Sequence, residues 1–215
     1  MMKKTVLAMV LAATMVSGCS MIGGSETTSY ADLRAEGDAL YAESKPAVRD
    51  DEGKIIEEGY QVSDVAQLEA IRLLVNSAFL SAKPAYERYT DELLATPELG
   101  NYFSAVEAKD TEEEKRAVYD SLSDEMKVKV DDFNKSSVSD EIMSGLKDAA
   151  LVALENSAVF LKADTTAMLS DVDFSKLMDE KDAVSLTAEQ VIYLDKTVVS
   201  AYENYKIISA FSSAQ

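Results

Sequence analysis

Histidine is absent from this sequence. Its absence removes the commonest general base and metal ligand, and with it every motif that needs an imidazole. Tryptophan is absent too, and cysteine occurs once, at Cys19. One cysteine cannot form an internal disulfide or a thiolate metal cluster. Basic residues are scarce: 21 Lys and Arg stand against 39 Asp and Glu. A chain of that sign lacks the basic footprint that nucleic acid requires, so no nucleic-acid partner is expected. No phosphate-binding glycine loop, dinucleotide fingerprint or nucleophile elbow is present, so no cofactor and no catalytic residue are assigned. The chain reads as a non-enzyme.

What is present begins with the leader. Lys3 and Lys4 give a positive start, residues 5–16 are largely apolar, and Ser17 and Gly18 precede Cys19. This order of charge, short apolar core and small residues defines a secretory signal. The apolar run is about twelve residues, short of the roughly 20 needed to span a bilayer. Cleavage is therefore the expected fate of residues 1–18.

Val16-Ser17-Gly18-Cys19 resembles the lipobox of bacterial lipoproteins. The resemblance covers only the leader. It implies that the Cys19 thiol is linked to a diacylglycerol, that the signal is cut before it, and that the new amino group is acylated. Two or three acyl chains, at ~0.8 kcal/mol per buried CH₂, anchor stably where one is marginal. Ser20 follows, where an Asp tends to retain such proteins in the inner membrane of Gram-negative hosts. Ser20 implies sorting to the outer membrane, on its periplasmic side. Contact with the membrane is then expected through the acyl chains on Cys19.

Removing residues 1–18 takes two lysines and no acid, leaving 19 basic against 39 acidic side chains. Such charge keeps a tethered domain soluble and draws in basic partners at low salt. Residues 19–29 read as a lipidated flexible tether; the ten residues from Ser20 reach at most ~35 Å. Residues 30–215 read as one acidic helical domain, with 30–62 a peripheral arm and 63–215 a bundle.

Within that domain the period is helical. Residues 30–45 form a modest helix that Gly37 weakens. Val48 and Ile55-Ile56 flank an Asp50-Asp51-Glu52-Gly53 turn and could pair as a hairpin. Leu68, Ile71, Val75, Ala78, Ala82, Ala85 and Tyr89 repeat at three- and four-residue steps, predicting a helix near 64–95 capped by Ser63. Pro84 predicts a kink or a break. Short helices follow at Thr96-Pro97, at the Thr111–Glu114 capping box and at Ser123, with Val130 and Phe133 as apolar contacts.

A helix capped by Ser139 is expected to about residue 170. It carries one apolar stripe through Ile142, Leu146, Ala149, Ala153, Phe160 and Ala163, and a second through Met143, Ala150, Leu154, Leu161 and Met168. Two adjacent stripes imply a central helix packed on more than one neighbour. Residues 173–185 read as a connector with at most one helical turn. Thr187 and Gln190 read as a capping box opening a last helix near 188–212. No repeat of 20–50 residues suggests a solenoid. The expected fold is all-α, an antiparallel helical bundle with short connecting helices.

Other candidates read blandly. Asp50-Asp51-Glu52, Glu57-Glu58 and Asp131-Asp132 are adjacent acids, read as solvated turns because a catalytic pair needs burial to split its pKa values. Asp171, Asp173, Asp179 and Asp182 resemble part of a calcium loop, but Lys176 stands where the turn needs glycine, and they read as helix-end capping. Tyr86, Tyr89, Tyr202 and Tyr205 read as core edge, and Asn156 as a local hydrogen-bond specifier. Two functions follow: an envelope adaptor that binds another protein, or a binder of a small apolar ligand or lipid. A continuous apolar cavity along Ala78, Ala82 and Ala85 would favour the second. A close-packed interior with exposed apolar surface would favour the first.

Overall fold

The computed structural model describes residues 29–170 and 172–213. Cys19 and Ser20, with the leader and most of the tether, lie outside the described residues, as does Asp171. The fold is all-α apart from one small hairpin. Helix α1 spans Tyr30–Ser44, and the hairpin pairs β1 (Val48–Arg49) with β2 (Ile55–Glu57) in antiparallel register. The helices α2 (Ala66–Ala95), α3 (Pro97–Glu107), α4 (Glu112–Asp120), α5 (Asp124–Asn134) and α6 (Ser137–Leu161) follow. After the single turn α7 (Thr165–Met168), helix α8 (Leu177–Leu194) runs through a π-helical turn, Asp195–Val199, into α9 (Ser200–Ser213).

Side-chain pairs fix the directions. Tyr30 packs against Tyr89, while Asn76 donates to the Ser44 carbonyl at the other end, so α1 runs antiparallel to α2. Arg88 pairs with Glu141 at 2.6 Å, and Val75 clusters with Phe160, so α6 is antiparallel to α2 as well. Lys176 pairs with Asp64, and Tyr193 meets Phe79 and Tyr86, so α8 runs parallel to α2. Helices α1, α2, α6 and α8–α9 thus form an up-and-down bundle. Helices α3 to α5 close one end, and the hairpin stands at the other. Among the described residues no helix is long and apolar enough to cross a membrane.

Of the stripe predicted for α2, Leu68, Val75, Ala78, Ala82 and Tyr89 are buried, and Ile71 and Ala85 are half-buried. The alanines admit α6, whose Gly145 lies 3.9 Å in Cβ terms from Ala85. Helix α2 continues through Pro84, so the proline does not end it. Thr96-Pro97, the Thr111 capping box and the Ser123 cap open their helices as expected.

Several expectations need correction. Helix α2 starts at Ala66, and Ser63 does not cap it; its hydroxyl donates to Glu180 instead. The helix expected over 139–170 ends at Leu161, because the Asp164 carboxylate takes the Ala167 N–H at 2.9 Å and opens a separate turn. Its cap is Ser136, while Ser139 turns inward to the Tyr205 hydroxyl at 2.6 Å. The expected 173–185 connector is mostly helix, and Thr187 lies inside α8. There its hydroxyl is satisfied by the Ala183 carbonyl at 2.9 Å, four residues back, so T-x-x-Q marks no start. Finally, the segment read as a peripheral arm contributes Tyr30, Leu33 and Leu40 to the main core. Gly37 there is a seat for Tyr193, whose ring carbon Cζ would lie 2.8 Å from any added Cβ.

Candidate functional site

The end of the bundle opposite Tyr30 carries a cleft. It lies between residues 58–63, the last turn of α1 and the first turns of α8. Gly59 makes it possible, since a Cβ there would run into the Lys45 backbone. Tyr60 N–H donates to the Lys45 carbonyl at 2.8 Å and ties the segment to the end of α1.

Two carboxylates hold the rest of the segment. Glu69 accepts from the Tyr60 hydroxyl at 3.1 Å and from the Ser63 N–H at 2.8 Å. Glu180, buried at the start of α8, accepts from the Ser63 hydroxyl and from the Asp64 N–H at 2.8 Å. Burial pushes the Tyr60 phenol up, the Arg72 charge opposing it. Arg72 sits at the base of the cleft with 1 % of its surface exposed. Its Nη1 donates to the Gln61 carbonyl at 3.0 Å and to Glu69 at 3.2 Å, and its guanidinium lies 4.8 Å over the Tyr60 ring. Its Nε is buried and has no hydrogen-bond partner.

The cleft encloses 360 Å³ and is lined by Glu43, Glu58, Asp179, Glu180 and Asp182 beside Ala42, Val62 and Leu186. Its polar character does not suit an apolar ligand. Val62 and, beyond it, Phe174 and Met178 are exposed, Phe174 at 90 %. Lower on the same half of the molecule, α6 exposes Leu151, Val152, Leu154, Val159 and Leu161, and α2 exposes Leu73 and Leu74. The second stripe predicted for α6 is therefore buried at Ala150 but open at Leu154 and Leu161.

The other sequence candidates scatter. Asp50 accepts from the Glu52 and Lys54 N–H groups and shapes the hairpin turn. Glu57 pairs with Lys45, and Asp131 accepts from Tyr119 at 3.0 Å. Asp173 is exposed, and Asp179 and Asp182 line the cleft from α8. Tyr86, Tyr89 and Tyr205 are buried, Tyr202 and Asn156 half-buried.

Arg72, Glu69 and Glu180 were not singled out from the sequence. Arg72 follows Leu68 by one helical turn, and a charge in line with an apolar stripe is the signal it gave. Glu180 gave none, because its segment carries too little apolar periodicity to read as helix.

At the Tyr30 end, Glu107 closes α3. Tyr89 donates to it at 3.0 Å, and the Tyr30 hydroxyl is buried beside it. Burial pushes Glu107 up to about 7, against the Tyr89 and Tyr30 hydroxyls and the Lys115 charge that pull it down.

No known family model matches the chain, and neither curated proteins nor solved structures yield a match. The functional reading rests on the residues themselves.

Proposed function

We propose that this chain is a lipid-anchored envelope lipoprotein whose helical domain acts as a non-enzymatic adaptor, docking another envelope protein on the half of the bundle farthest from its tether. The anchor is Cys19, and Ser20 directs the protein to the outer membrane in a Gram-negative host. The observation that carries the reading is a separation of ends. The tether enters at Tyr30, level with Tyr89. Leu73 and Leu74 on α2 and the exposed apolar residues toward the end of α6 form a patch whose α2 part lies about 23 Å from Tyr89 along the α2 axis. A partner is thus met away from the bilayer.

The alternative, an apolar ligand held along the alanine stripe, loses its support, because Ala78 and Ala82 are fully buried where α6 packs. Exposed apolar surface rimmed by polar residues is the usual mark of a protein contact. The acidic surface fits a partner that presents basic residues around an apolar contact.

A photo-crosslinking residue placed in turn at Leu154, Leu161 and Glu112 of the full-length lipoprotein tests this in intact cells. Discrete adducts are expected from Leu154 and Leu161, lost on adding Leu151→Asp, and none from Glu112. Adducts only from Glu112, or none at any position, would overturn the reading.

A further inference from the structure

The cleft holds an unmet hydrogen-bonding group at its base and unmet charge at its rim. Among the described residues that line it, Arg72 is the one cation. The guanidinium is fixed by Gln61, Glu69 and Tyr60, all through Nη1 or the ring face. That leaves the Nε edge, and Nε is buried without a partner. The Nε–Nη2 edge is the fork that a carboxylate engages with two parallel hydrogen bonds. A buried donor left unmatched is costly, and a ligand that satisfies it binds more tightly for doing so.

Glu69 and Glu180 do not supply the missing acceptor, for their oxygens are committed to Tyr60, Ser63, Asp64 and the Nη1 side of Arg72. Around the mouth stand Glu43, Glu58, Asp179 and Asp182, with which no cation pairs among the described residues. A simple anion entering the cleft meets this negative rim. A simple cation finds the rim but leaves Arg72 unmatched. A molecule carrying both charges satisfies both.

We propose that the cleft binds a small zwitterion of amino-acid to dipeptide size, its carboxylate on the Arg72 guanidinium and its ammonium among Glu58, Asp179 and Asp182. The volume of 360 Å³ falls within the range of small-molecule sites, toward its lower end. The alkyl part of such a ligand lies against Ala42, Val62 and Leu186. This site is independent of the apolar docking surface on α6.

The test is calorimetric titration of the full-length protein, purified in detergent, with free L-amino acids and with alanyl dipeptides. Acetate and ethylammonium serve as single-charge controls. At least one zwitterion is expected to bind about tenfold or more tightly than either control, the gain of one charged hydrogen-bonded contact. Arg72→Lys keeps the charge, loses the fork, and is expected to weaken that binding about tenfold. Because Arg72 is buried, a second variant carries the test on the surface: Glu58→Gln with Asp182→Asn leaves the fold intact and is expected to weaken binding by a similar factor. No saturable binding by any zwitterion overturns the proposal, as does equal binding of acetate, or binding that the surface variant leaves unchanged.

Discussion

The Tyr89 hydroxyl donates to the Glu107 carboxylate at 3.0 Å, joining α2 near the tether to the last residue of α3. Burial raises Glu107 to about 7 despite that bond. Between the ordinary carboxylate value and 7, the folded protein holds a proton that the unfolded chain releases. Stability from this group is therefore present at mildly acidic pH and is lost as pH rises toward 7, by up to about 3 kcal/mol. Glu107→Gln keeps the shape and removes the titration. Thermal melts between pH 5 and 8 are expected to converge for the two proteins at pH 5 and to show the variant as the more stable at pH 8.

Tyr193 crosses α1 at Gly37, where its phenol leaves no room for a Cβ. Gly37→Ala gains about 1 kcal/mol of helix propensity but overpacks the contact at a cost of about 1–3 kcal/mol. Net destabilisation is expected by urea unfolding. Adding Tyr193→Phe removes the atom closest to the new Cβ, so the double variant is expected to lose less than the sum of the singles.

Gln190 reaches from α8 to the Ser44 hydroxyl and to Asn76, both at 2.7 Å, inside the bundle. Asn76 in turn donates to the Ser44 carbonyl at 3.1 Å. This network ties α1, α2 and α8 at one level. Gln190→Leu leaves buried polar groups unmatched and is expected to cost about 2 kcal/mol, measured as a lower urea midpoint with an unchanged slope.

These contacts show what the sequence made legible. The α2 stripe and the Thr111 box were readable, because apolar period and local capping are written within one turn of each other. The first half of α8 was not, since residues 177–186 are held by Glu180, which meets Ser63 117 residues away, and by Leu186, which packs on the main core. Thr187 and Gln190 misled for the same reason: their side chains serve a carbonyl four residues back and a core network, not a helix start. The cleft was illegible because Arg72 acquires its meaning only when residues 58–63 fold over it.

The account depends most on the anchor, because docking at a distance from the membrane has meaning only if Cys19 is held there. Cys19→Ser replaces a thiol by a far weaker nucleophile that cannot accept the diacylglycerol. Signal cleavage follows lipidation in this pathway, so the uncut precursor is expected to accumulate. The decisive measurement is metabolic labelling with a fatty-acid analogue followed by membrane fractionation. Wild-type protein is expected to carry the label and sediment with the outer membrane, and Cys19→Ser to carry none. Wild-type protein without label, or a Cys19→Ser protein that still carries it, would contradict the account.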